Sequence, residues 1–114
     1  MARANLDQEG GSIEYPAISR WDAPDELKVG FSPSTSDKTL ILDSRFLEIF
    51  SIENVDPPQK AISAKGGRIG YVFASDPSRP TQVILRLQGQ SPGFHKFLLG
   101  IDGDVAEYSN FIFP

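Results

Sequence analysis

The chain has no cysteine and only one histidine, one tryptophan and one methionine in 114 residues. Without cysteine there is no disulfide framework, no thiolate metal site and no thiol nucleophile. The compartment stays open, because cysteine-free proteins occur in oxidising and reducing surroundings alike. A single histidine excludes multi-histidine zinc sites, and any Ser-His-Asp triad would have to use His95. Ser91 has the Gly-x-Ser-x-Gly spacing in Gly89-Gln90-Ser91-Pro92-Gly93, but the segments on both sides read as strands, so the strand-to-helix elbow that would make it a nucleophile is missing. Runs of Lys or Arg are missing, and 15 acidic against 11 basic side chains leave a net charge of −4. The electrostatic footprint of a nucleic-acid binder is therefore absent. Apolar runs such as Leu40-Ile41-Leu42 fall far short of the ~18 to 20 residues that span a bilayer. Neither Gly10-Gly11 nor Gly66-Gly67 leads into a Gly-Lys-Ser/Thr pattern or a helix start, which disfavours nucleotide binding.

What is present is ordinary globular composition, 39% hydrophobic and 23% charged, at the length of one small domain with one core. Apolar residues recur with period two in short segments, separated by clusters of Gly, Pro, Asp and Ser, as in antiparallel sheet. The pattern predicts strands over about 12–19, 26–32, 38–43, 49–56, 68–74, 81–88, 94–101 and 105–113. Lys65-Gly66-Gly67-Arg68, Ser91-Pro92-Gly93 and Asp102-Gly103-Asp104 read as hairpin turns, with Gly supplying positive φ. Asp43 or Ser44 is placed to cap a helical turn over residues 43–48 that sends Phe46 and Leu47 inward. The fold class that follows is all-β, an Ig-like antiparallel β-sandwich of seven to eight strands, with a small α+β domain as the alternative. Residues 1–12 lack an apolar segment and read as a flexible leader ahead of a single domain over 13–114.

Alternation selects the core. Ile69, Tyr71 and Phe73 share one side of their strand, as do Val83, Leu85 and Leu87, then Phe97, Leu99 and Ile101, with Phe111 and Phe113 closing the last. The final segment, residues 108–114, is expected to complete the sandwich, since two loose phenylalanines would invite aggregation.

Candidates for chemistry are few. Asp102, Asp104 and Glu107 are clustered oxygen donors, but a full calcium loop is missing and a polar hairpin accounts for them. Asp22, Asp25 and Glu26 flank Trp21 and could suggest a glycosidase, yet a small domain offers little room for a cleft. No catalytic group, metal site or cofactor is expected. The segment over residues 15–26 is the candidate contact surface, with Tyr15, Arg20, Trp21, Asp22 and Asp25 as its binding residues. Trp21 lies off the strand pattern, and Trp with Arg is the pairing in which interfaces concentrate binding energy. The competing expectation is that Trp21 plugs one end of the sandwich.

Four stretches carry a resemblance: 21–27 (WDAPDEL), 46–57 (FLEIFSIENVDP), 83–93 and the ending NFIFP. Over residues 13–114 the chain resembles the extracytoplasmic, Ig-like β-sandwich tails of small, single-span bacterial membrane proteins of unknown function. That resemblance implies a periplasmic or extracellular location and a membrane anchor ahead of the domain. It assigns no catalytic residue. The function classes that remain, in order, are a protein-interaction or spacer module, a carbohydrate-binding module and a small hydrolase, with another protein as the expected partner.

Overall fold

The computed structural model describes residues 2–114. In chain order it contains β1 (Arg3–Gln8), β2 (Gly11–Pro16), β3 (Ile18–Arg20), β4 (Pro24–Phe31), β5 (Lys38–Asp43), α1 (Ser44–Ile49), β6 (Phe50–Asp56), β7 (Ala61–Lys65), β8 (Arg68–Phe73), β9 (Thr81–Gly89), β10 (Gly93–Ile101) and β11 (Asp104–Phe113). A five-stranded sheet, β1-β2-β4-β9-β6, faces a six-stranded sheet, β3-β11-β10-β5-β8-β7. All pairs are antiparallel except β3 with β11. The fold is an all-β sandwich, as the alternation predicts.

The strands with strict alternation build the core. Val83, Leu85 and Leu87 of β9 and Leu27, Val29 and Phe31 of β4 are buried from the first sheet. Phe97, Leu99 and Ile101 of β10 and Leu40 and Leu42 of β5 meet them from the second. α1 closes one end where the chain passes from β5 to β6, and Phe46 packs tilted against Phe50 and edge-on to Phe97, with ring centroids 5.1 Å and 5.3 Å away. Asp43 is its N-cap, its carboxylate accepting from the Phe46 N–H at 3.2 Å. Phe46 turns inward as expected, but Leu47 is exposed and Ile49 takes the second buried position, three residues after Phe46 on the same helical face.

Four further expectations are corrected. Residues 1–12 are not a loose leader: β1 pairs with β2 over its whole length, and Ala4 and Leu6 pack on the core. The strand expected over 12–19 is two strands, because the chain changes sheets at Ala17 between β2 and β3. β7 is an additional strand, so the count among the described residues is eleven rather than seven to eight. Finally, β11 presents the opposite face to that expected: Asn110 and Ile112 point inward, while Phe111 is half-buried and Phe113 is exposed. The turn between β10 and β11 also differs in detail, since the positive φ of 56° belongs to Asp102 rather than to Gly103.

Candidate functional site

Reversal of the β11 face creates the most unusual surface of the molecule. Phe94, on β10 opposite Phe111, is 85% exposed. Its ring centroid lies 4.6 Å from that of Phe111, which lies 4.7 Å from that of Phe113. Three aromatic rings thus run along the outside of the six-stranded sheet. They turn outward because a strand alternates strictly, and Ile112 is fully buried between Phe111 and Phe113. Ile18 and Arg20 of β3 stand beside Phe111 and Phe113 in the parallel ladder, and so share their face. Leu98, on the same side of β10, is half-buried. Lys96, two residues from Phe94, is exposed there as well. Neither Arg20 nor Lys96 makes an ion pair among the described residues. Two uncompensated cations therefore flank the aromatic row.

The residues singled out from the sequence divide around this surface. Trp21 is 52% exposed and follows Arg20 directly, its N–H donating to the Phe113 carbonyl at 2.7 Å. Asp22 adopts φ 59°, donates its N–H to the Gly89 carbonyl at 3.0 Å and accepts from Gln88 Nε2 at 2.5 Å, which holds the turn after β3. Tyr15 is in the core instead. Its ring packs edge-on to Phe97 at 5.6 Å and its hydroxyl donates to the Ser109 carbonyl at 3.2 Å. Burial, and then the neighbouring Tyr108, push the Tyr15 phenol above its usual value, so it stays neutral. Asp25 is tied to Arg3, whose guanidinium reaches Asp25 at 2.7 Å, Glu14 at 2.5 Å and the Glu26 carbonyl. That ion-pair cluster fastens β1 to β2 and β4 and engages the Asp25 carboxylate.

The acidic hairpin has structural partners. Asp102 accepts from the Thr39 N–H at 3.1 Å and pairs with Lys38 at 3.3 Å, bordering a shallow groove of about 620 Å³ with Glu9 and Asp104. Glu107 pairs instead with Arg45 at 3.0 Å. Among the described residues no three His, Cys, Asp or Glu side chains converge as metal ligands. His95 donates from Nε2 to the Ser91 carbonyl at 2.6 Å, a bond inside its own turn that fixes the tautomer.

No protein-family model matches the chain, and no curated protein matches it in sequence. Solved structures do match. A non-cellulosomal cohesin from the hyperthermophilic archaeon Archaeoglobus fulgidus is 13% identical, with a TM-score of 0.48 over 86% of this chain and 80% of that one. A chain of the CaDoc0917-CaCohA2 complex is 12% identical, with a TM-score of 0.49 over 86% of this chain and 94% of that one. These likenesses transfer no residue role to the present chain. Among the described residues no helix is long and apolar enough to cross a membrane.

Proposed function

We propose that this protein is a non-catalytic interaction module that binds another protein through the outer face of its six-stranded sheet. The observation that carries the reading is the row Phe94, Phe111 and Phe113, three aromatic rings in tilted and edge-on contact on the surface of a small domain. Contiguous apolar surface of this kind is costly to leave in water and marks contact sites. Arg20 and Lys96 beside the row suit a segment that combines apolar side chains with Asp or Glu. Of the residues singled out in the sequence, Arg20 belongs to this proposed surface, and the half-exposed Trp21 follows it directly. Display outside the cytoplasm, which the resemblance implies, is part of the same reading.

Exposed aromatics also suit a carbohydrate, but sugar binding favours rings presented flat along one line. Here Phe94 and Phe111 are inclined by 50° and Phe111 and Phe113 by 88°, a packing that leaves edges and clefts for side chains. A phage-displayed random peptide library separates the two. We expect selected peptides to join aromatic or aliphatic residues to acidic ones, and Phe94→Ser and Phe113→Ser to weaken them about tenfold or more at unchanged melting temperature. Peptides indifferent to both substitutions, or retention on insoluble polysaccharide that the substitutions abolish, would overturn the proposal.

A further inference from the structure

An open sheet ends in strands whose outward N–H and C=O groups have no ladder partner, and proteins blunt such edges with charge, bulges, proline or shortness. The four edges of this sandwich are β1 and β6 in one sheet and β3 and β7 in the other. Three of them carry such devices. β1 bears Arg3 and Asp7. β6 bears Glu53 and Asp56, shifts register between Ile52 and Asn54, and runs into Pro57-Pro58. β3 is only three residues long, and its Ile18 N–H already donates to the Ala2 carbonyl. β7, with the sequence AISAK, has no charge before its last residue and no proline, and its one irregularity lies just ahead of it, where the Lys60 N–H also donates to the carbonyl of Val72 opposite Ala61. All of its residues are exposed, Ile62 at 56%.

The hairpin fixes which backbone groups face outward. Gly66 and Gly67, at φ 60° and 78°, close β7 on β8 with Lys65 opposite Arg68. In a two-residue hairpin that closing pair is hydrogen-bonded, and bonded and non-bonded pairs alternate along the ladder. Ser63 therefore exchanges bonds with Gly70, while the N–H and C=O of Ile62 and Ala64 point away from β8. Ile62 and Ala64 also lie opposite Tyr71 and Ile69, which are only partly buried, so an apolar strip overhangs the core at this edge.

We propose that β7 pairs antiparallel with β7 of a second copy of this chain, about a two-fold axis through Ser63. The inference goes beyond the peptide-binding face and uses a different surface. In this register Ile62 of each copy exchanges both outward backbone bonds with Ala64 of the other, Ser63 faces Ser63, and Lys65 faces Ala61. No like charges stand opposed. Ile62 and Ala64 of both copies then form one apolar strip, and the two six-stranded sheets become a single continuous sheet. Self-complementarity is what points to a second copy, since a two-fold contact needs only a patch the chain already carries.

Sedimentation equilibrium of the full chain tests this, and dimer is expected to accumulate as concentration rises. Ala64→Pro deletes an outward donor without touching a bond to β8, and Ile62→Lys places a charge in the shared strip. Each is expected to weaken the dimer about tenfold or more while circular dichroism and melting temperature hold. Phe94→Ser should leave association unchanged. A chain that stays monomeric at every concentration, a dimer that survives both β7 substitutions, or one lost in Phe94→Ser would overturn the proposal. Peptide binding and self-association are separate readouts, so either proposal can fail while the other stands.

Discussion

Asn110 carries an amide into the sandwich at 4% exposure, and among the described residues neither its Nδ2 nor its Oδ1 has a hydrogen-bond partner. The Oγ of Ser19, buried on the neighbouring β3, has no partner among the described residues either. A buried polar group without a partner costs about 1–3 kcal/mol of desolvation. Asn110→Leu replaces that dipole by an apolar side chain of similar volume, and is expected to raise stability by about 1 kcal/mol or more in urea unfolding. A destabilised Asn110→Leu would show that the amide is satisfied in solution. Asn110 also bears on the aromatic row, because the polar residue and Ile112 hold the inward positions and thereby set Phe111 and Phe113 outward.

α1 depends on one carboxylate. Asp43 is buried, caps the Phe46 N–H and pairs with Arg45 at 2.7 Å. Loss of an N-cap costs about 0.5–2 kcal/mol, so Asp43→Ala is expected to destabilise by that amount in urea melts, and Asp43→Asn, which keeps an acceptor, by less. That cap was legible from the sequence, as were the strands whose alternation is unbroken, because burial on one face and solvent on the other leave a period of two. β1 and β7 were not legible. In β1 only Ala4 and Leu6 pack on the core, and β7 buries no residue, so neither imprints an apolar rhythm. The proposed docking face was hidden for a sharper reason. Of the two faces of β11, that of Phe111 and Phe113 is the more apolar, and hydrophobicity alone assigns it to the core. The contact segment over residues 15–26 was legible only in part: Trp21 is off-pattern and half-exposed, whereas Tyr15 belongs to a core face that alternation with Ile13 could have revealed.

Across the whole molecule the two outer faces differ, with Arg3, Glu14, Glu26, Lys28 and Arg86 on the five-stranded sheet and the aromatic row on the other. The loop from β8 to β9 carries the chain from one sheet to the other, and Asp76 organises it by accepting from the Ser78 hydroxyl at 2.7 Å and its N–H at 2.8 Å. Those bonds, the hydroxyl's first, hold the Asp76 carboxyl below the usual carboxylate range. A lowered value in the folded state means that the contribution is complete above the ordinary carboxylate value and is lost as pH falls through the folded one. Unfolding measured against pH should show this acid-side loss, and Asp76→Asn should flatten that part of the profile. The parallel pairing of β3 with β11 bears on mechanical load. Tension along the chain draws β3 toward its N-terminal end and β11 toward its C-terminal end, and because the strands run the same way, the two pulls oppose each other along a common axis. Their hydrogen bonds are then strained together in shear rather than unzipped one after another, which makes this seam the place where the sandwich resists being pulled apart.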